Sequence, residues 1–531
     1  MSKKIIKGNG PIVEGVKEVV DTIKVTLGPK GKCVAIQNSF GNPDITRDGA
    51  TVAKSIELSD PGKNVGATLV KNASIQTEEQ VGDGTSSVSI LANEFIEAGK
   101  KYLDNPEINL NELKNGMELG VEYVKEYIKK TAIPVADDLE KIRRVATISA
   151  NNDTVVGNLI VEAMEKVGID GVITAEFASG LDTTIEVTQG FKIERGWASP
   201  HFVTAQSEGK CILDNPVIMV VSEHMSTIPP LAPVLEAVAK QGRSILIIAD
   251  EVDEIVLNML AFNSINGALK CCVVKGIDFG DSRKNIMEDI AVSVGANHIC
   301  PEVGLSLSDI DLKDLGAADK VVISRDSTII YGGHGNPDQI KDRLEVIKDR
   351  LADPTTTQYE KTKFKARLSG LSGGVAVIKA GGASETEKAN RKATIEDAIL
   401  ASQSAISEGV VPGGGYTYLR ASQEIKKFPG KQTMSEILGI KLVLQSLKVI
   451  TKTIAENYGL PGDVVVDKCI RSKKGFNAKT GRYSDLTVVG VLDSAKVLRV
   501  CLENAVSVAS MVLLTDSVVI EEPKKGSGQT E

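Results

Sequence analysis

A chain of 531 residues is too long for one hydrophobic core, and at roughly 100–200 residues per domain it predicts about three domains. Hydrophobic residues at 42% and charged residues at 25% fit a soluble globular protein. Aromatics at 4%, with one tryptophan (Trp197), require aliphatic cores and argue against stacking platforms for single-stranded nucleic acid. A formal net charge of −8 disfavours phosphate backbones and anionic lipid as default partners.

The first region, to about residue 131, reads as helical. Ile12, Val16, Val19 and Ile23 recur at a helical period, with Pro11 placed to start that helix and Gly28-Pro29 to end it. A second helix is expected from about Thr85, carrying Leu91, Phe95 and Leu103. The middle, about 189–375, reads as α/β. Its short runs PVIMVV (216–221), SILIIA (244–249) and CCVV (271–274) alternate with helical stretches at 229–241 and 252–266. In the second of these stretches Val252, Ile255, Val256 and Met259 form one apolar stripe, with Leu257 and Ala261 on the far side. Such a helix is either wholly buried or offers one face to a partner.

The last region is helical again. Val443, Leu447, Ile450 and Ile454 share one face of a helix that Gly459 terminates, and a final helix starts near Asp493-Ser494 and passes Met511. The polar tail EEPKKGSGQTE (521–531) is expected to be disordered. Gly190 before the α/β block, and Gly370, Gly373-Gly374 and Gly381-Gly382 after it, are either hinges or ordinary loop glycines.

The seven cysteines include no Cys-x-x-Cys, and none of the four histidines pairs with one at zinc-finger spacing, so reduced thiols are expected. The N-terminus MSKKIIKGNG has no apolar signal core, and no run is expected to reach the roughly 18 apolar residues of a membrane span. A cytoplasmic protein with neither nucleic acid nor membrane as partner is the expectation.

Chemistry is harder to place. There is no Gly-x-x-x-x-Gly-Lys-Ser/Thr, no strand-linked Gly-x-Gly-x-x-Gly and no His-Glu-x-x-His. What remains is Gly82-Asp83-Gly84-Thr85-Ser86-Ser87 opening a helix. The free N–H groups of a helix start attract phosphate, Thr85 or Ser86 can cap, and Asp83 supplies a hard oxygen for Mg2+. A capped helix after a tight turn explains the same residues. Leu27-Gly28-Pro29-Lys30-Gly31 is a phosphate loop or a helix-ending turn, and Gly413-Gly414-Gly415 is a nucleotide cradle or a close-packing device. Asp48 reads as a turn residue, Asp397 as a solvated helix position and Asp493 as an N-cap.

Order and company single these signals out. VTLGPKG (25–31), VGDGTSS (81–87), TIEDAI (394–399), EGVVPGGG (408–415) and GFNAKTG (475–481) resemble the group I chaperonins. So do VATISAN (145–151), PVLEAVAKQG (233–242) and GGVAVIKAG (373–381), and the likeness runs from about residue 11 to about 520.

The resemblance implies an α+β multidomain fold. A mostly helical equatorial ATP-binding domain would join 1–131 with 408–531, a small intermediate hinge domain 132–188 with 376–407, and an α/β apical client-binding domain would span 189–375. It implies ATP and Mg2+ as cofactors, with K+ as a further candidate ion. Nucleotide contacts would come from Thr26, Leu27, Gly28, Pro29 and Lys30, from Asp83 (the metal ligand), Gly84, Thr85, Ser86 and Ser87, and from Gly414, Asn477, Ala478, Val491 and Asp493. Asp397 would place the attacking water, with Asp48 as a second acid for hydrolysis. Because Asp397 would belong to the intermediate domain, closure of that domain would couple hydrolysis to movement. Trp197, Ser199, His201, Phe202, Ala232, Leu235, Leu257, Ala261 and Phe262 would hold unfolded clients and a co-chaperonin lid. The implied assembly is a homo-oligomeric ring, expected to have seven subunits.

Some positions depart from the family pattern. His201, Ala232 and Ala261 are smaller or more polar than its norm, Lys479 stands where a small residue is usual, and GSGQTE replaces a Gly- and Met-rich tail. Leu460-Pro461-Gly462-Asp463 replaces acidic residues that pair across stacked rings, leaving Lys452 without its usual partner, so one ring and two rings both stay open. These departures fit a bacterial paralogue or a virus-encoded version. The rival reading is a chaperonin-fold interaction protein with an impaired ATPase; retention of Asp48, Asp83 and Asp397 argues against it.

Overall fold

The computed structural model describes residues 3–521, apart from 38–42, 137, 151, 170, 207, 277–279, 354–355, 358–359, 361–362, 365–366, 369 and 372–373. The expected disordered tail therefore lies outside the described residues, except Glu521. The chain divides into two compact units, one built from 1–161 with 389–531 and one from 162–388.

The first unit is helical. Ile12, Val16, Val19 and Ile23 are all buried on the Gly10–Ile23 helix, which carries Pro11 in its first turn and runs into a short 3-10 turn, Lys24–Thr26. The Pro61–Val81, Thr85–Lys100 and Leu110–Thr131 helices follow. Asn109 starts the last of these by accepting from the Asn111 and Glu112 N–H groups. Leu103, expected on the Thr85 helix, falls beyond its end. The single helix expected through Val443–Ile454 is two, Met434–Ser446 and Val449–Tyr458, parted at Leu447-Lys448. Thr433 and Glu436 form a reciprocal capping box at the start of the former. The terminal strands Lys3–Lys7 and Ser517–Glu521 pair antiparallel and tie the two chain ends together.

The Ala495–Leu514 helix corrects one expectation. It is long and apolar enough by length and composition to cross a membrane, at a mean hydropathy of 1.7. Its apolar residues are largely buried in this unit: Leu498, Leu502, Ala505, Val506, Ala509, Val512 and Leu513 belong to the core formed with Phe95, Leu91 and Val124. Helix periodicity hid it, because polar residues such as Glu503 and Asn504 interrupt the run.

The second unit is built on a mixed sheet. In spatial order its strands are Val172–Phe177, Gly374–Ala380, Thr184–Ile193, Thr328–Gly333, Gly316–Ile323, Val217–Val221, Ile245–Ala249 and Cys271–Lys275. The last three are parallel and aligned as Met219, Ile247 and Val273, and His298–Ile299 adds a parallel partner on the other side of Val217–Val221. These strands read as unbroken apolar runs because parallel strands are covered on both faces. The Ala232–Lys240 and Glu254–Ile265 helices connect them. Gly190, weighed above as a hinge, instead lies inside a ten-residue strand opposite Tyr331. The mixed architecture, a helical unit and a sheet unit, is the α+β fold that the resemblance implies.

Candidate nucleotide site

Within the first unit the expected phosphate and acid residues converge. Asp83 follows Gly82, the left-handed C-cap of the Pro61–Val81 helix, and precedes Gly84, the left-handed N-cap of the Thr85–Lys100 helix. The capping expectation is corrected here: Gly84 holds the N-cap, Thr85 is already helical, and no side chain caps that end. The first-turn N–H groups of Thr85, Ser86 and Ser87 are thus left without a side-chain acceptor, which suits an anion. Thr26 Oγ1 lies 3.2 Å from Ser86 Oγ, bringing the Lys24–Pro29 loop to the same place. Asn457 Nδ2 donates to the carbonyls of Lys24 and Leu27 and pins that loop from behind. Lys30 is exposed at its edge.

Asp48 is the N-cap of the Gly49–Ser55 helix rather than a simple turn residue. Its carboxylate oxygens accept from the Ala50 N–H at 3.2 Å and the Thr51 N–H at 2.7 Å. A methyl at Gly49 would crowd the Ser86 hydroxyl and come within 3.1 Å of the Ser86 nitrogen, so the residue after Asp48 packs closely on the start of the Thr85–Lys100 helix.

Asp397 is on the Glu385–Glu408 helix, whose backbone rests directly on the Gly82 turn. Its carboxyl is driven well above the usual range, by burial first and then by the charges of Asp48, Glu78 and Asp83. A solvated face therefore does not describe it. Burial likewise raises Asp83, against the pull of the Gly84 N–H, with Asp48 adding to the shift. Buried carboxylates whose charges raise Asp83 and Asp397 are a donor set for a hard metal ion. Among the described residues no three metal-binding groups form a ready-made cage. Asp83 fits Mg2+ in the sparse mode, with one or two carboxylates and phosphate oxygens completing the shell.

Gly82 gives a direct test of this arrangement. It has φ +67°, and an added Cβ would lie 2.7 Å from the Asp397 carbonyl oxygen. Gly82→Ala is expected to cost about 1–3 kcal/mol through backbone strain and the displaced helix. Chemical denaturation of the two proteins checks this.

On the other side, the strand Val410–Pro412 pairs with Leu492–Ser494, placing Asp493 opposite Val411. Asp493 is not the N-cap of the last helix; Ser494 is. Its carboxylate accepts from the Gly414 N–H at 3.1 Å, and burial pushes it up to about 7, with the Asp83 charge adding to the shift. Gly414 has φ +62°, and a Cβ there would meet only the Phe476 carbonyl oxygen, at 4.0 Å. Val491 receives the Gly413 N–H on its carbonyl. Asn477 and Ala478 are buried, and the Asn477 side chain closes the following turn by accepting from Lys479 and Thr480.

Sequence reading missed three contributors. Glu78 stands one turn before Gly82, in an ion pair with Lys54 at 2.6 Å. Cys501 donates to the Gly84 carbonyl oxygen, and Arg47 donates to the Gly28 carbonyl oxygen at 3.2 Å. Only Arg47, beside Asp48, carried a sequence signal.

In the second unit the expected client positions divide by burial. Phe202, Ser199, Leu235, Leu257 and Ala261 are buried, and Trp197 and Ala232 are partly so. His201 and Phe262 are exposed. The apolar stripe expected on the Glu254–Ile265 helix turns out to be split. Val256, Leu257, Leu260 and Ala261 face the core, while Ile255, Met259, Phe262 and Ile265 are exposed at 71%, 48%, 66% and 63%.

The fold is shared with solved chaperonins. Two crystal forms of the chaperonin gp146 from the bacteriophage EL 2 (Pseudomonas aeruginosa), each in the presence of ATP-BeFx, match 98% of this chain and 99% of theirs. They do so at TM-scores of 0.73 and 0.64 with 21% and 20% identity. The TCP-1/cpn60 chaperonin family model matches residues 19–523. The chain belongs to the TCP-1/cpn60 chaperonin family, and the group I resemblance drawn from its motifs is borne out at that level.

Proposed function

We propose that this protein is an ATP-hydrolysing ring chaperonin that holds unfolded proteins and promotes their folding in a central cavity. The observation that carries the proposal is the meeting of an uncapped helix start, a pinned Gly-Pro loop and the carboxylates of Asp48, Asp83, Asp397 and Asp493 in one helical unit. Bound Mg-ATP would supply the phosphoryl group and its activating ion. The Thr26–Pro29 loop and the first turn of the Thr85 helix would grip the phosphates through N–H and hydroxyl groups. Asp83 would hold the ion, and Gly414, Asn477, Ala478, Val491 and Asp493 would shape the nucleoside end. Asp397 would orient the attacking water, with Asp48 lending a second negative charge. Catalysis of this kind is positioning plus electrostatics.

The assignment of equatorial, intermediate and apical roles to 1–131 with 408–531, 132–188 with 376–407, and 189–375 belongs to the same proposal. Exposed Ile255, Met259, Phe262 and Ile265 support client capture, because apolar contact is non-directional and tolerates many partners. Ring formation is supported by the terminal two-stranded sheet and the Val34–Ile36/Asp44–Thr46 strand pair, whose outer edges have no strand partner among the described residues and where Ile5, Ile45 and Val519 are exposed. Lys452 is engaged by Asp463 of its own chain at 2.8 Å, so the number of stacked rings is left to electron micrographs, which are expected to show sevenfold particles.

Recovery of a chemically denatured test enzyme measures the activity. Recovery is expected to rise with Mg-ATP, and to rise further if a co-chaperonin supplies the lid. Client binding without any ATP turnover would favour the impaired interaction protein instead.

A further inference from the structure

The parallel strands Val217–Val221, Ile245–Ala249 and Cys271–Lys275 end side by side, with Val221, Ala249 and Lys275 in register. Loops diverge at such carboxyl ends, and ligands of open α/β sheets settle in the crevice they leave. Here the crevice is a cleft of about 440 Å³, lined by Arg195, Lys275 and His224 and by the acids Asp250, Glu251 and Asp253. Asp250 is 8% exposed, and its Oδ1 is buried with no hydrogen-bond partner. Its Oδ2 lies 3.0 Å from Arg283 Nε, and the nearby Ser222 hydroxyl is bonded to His298 Nε2 at 2.7 Å. Burial holds the Asp250 carboxyl above its usual range against the pull of Arg283, Ser222 and His298. A buried acceptor without a donor is unfavourable, and a donor entering the cleft would relieve it.

The other charges decide what carries that donor. Arg195 and Lys275 are exposed, and no ion pair engages either among the described residues. The Glu254–Ile265 helix begins at this cleft with no side-chain cap, since the Asp253 carboxylate accepts from His224 Nε2 at 2.9 Å instead. Its first-turn N–H groups therefore favour an anion. A plain cation meets Arg195 and Lys275, and a plain anion meets three acids. A molecule carrying both charges is complementary to the whole lining.

We infer that this cleft binds a small zwitterion of the amino-acid type. Its ammonium group donates to Asp250 Oδ1, and its carboxylate lies against Lys275, Arg195 and the helix start. The site is contained in the sheet unit and does not depend on the nucleotide reading.

Thermal unfolding of the full-length protein with each standard L-amino acid at millimolar concentration tests it, because a ligand of the folded state raises the midpoint. At least one is expected to do so. Calorimetry then compares the strongest binder with its N-acetyl and α-amide derivatives, each of which loses one charge. Both derivatives are expected to bind about 10-fold or more weakly, and Asp250→Asn to weaken the parent ligand about 10- to 100-fold. Lys275→Gln alters an exposed side chain, so it carries the test if the asparagine variant unfolds. It is expected to weaken the amino acid about 3- to 5-fold and to leave its α-amide unchanged. No shift from any amino acid would overturn the inference. So would a derivative that binds as tightly as its parent, or undiminished binding in both variants.

Discussion

Asp397→Ala is expected to retain Mg-ATP binding and to lose turnover by about 100- to 10,000-fold, the contribution of a well-placed general base. In the proposed site Asp397 would take no part in gripping phosphate, which would fall to the loop, the open helix start and Asp83. It approaches from a different helix, whose backbone is seated on the Gly82 turn, and burial first, then the charges of Asp48, Glu78 and Asp83, raise its carboxyl. A carboxylate held among like charges is well suited to hold and deprotonate water beside a cation, and ill suited to bind an anion. Asp397→Asn keeps the shape and removes the charge, so it should lose nearly as much as alanine. Equilibrium nucleotide binding read beside steady-state phosphate release separates the two steps. Unchanged release would reject the role outright.

The sequence carried the fold well where one physical rule governed. Strands such as Val217–Val221 were legible because burial on both faces leaves a solid apolar run, and the first helix because its buried residues keep one period. The long Pro61–Val81 helix was not, since its inner face is Gly66, Ala67, Ala73, Ser74 and Thr77, small residues that close packing admits but hydropathy does not register. The break at Leu447-Lys448 was hidden for the opposite reason: both helices continue the same apolar period across it.

The site was legible as scattered motifs. Their meeting was not, because Asp83 is hundreds of residues from Asp397 and Asp493 and only tertiary contact brings them together. Caps were misassigned where glycine took the place of a capping side chain, as at Gly84, a choice that backbone geometry makes and composition does not reveal.

Ile255→Glu combined with Phe262→Glu is expected to abolish capture of unfolded protein while leaving ATP turnover intact. Both side chains are mostly exposed on the Glu254–Ile265 helix, so charging them removes no core contact, and unit stability should move by no more than about 0.5 kcal/mol. Each apolar side chain of this size contributes about 1.5–3 kcal/mol when fully covered by a partner. Losing two, and presenting carboxylates in their place, should lower client affinity by more than about 100-fold. Leu257→Glu provides the contrast. Leu257 is buried against the sheet, so an unpaired carboxylate there should unfold the unit before it alters any surface. Suppression of aggregation of a denatured test enzyme, measured by light scattering without nucleotide, reports capture directly. Full suppression by a well-folded double variant would move the client surface off this helix face and back toward Trp197 and His201.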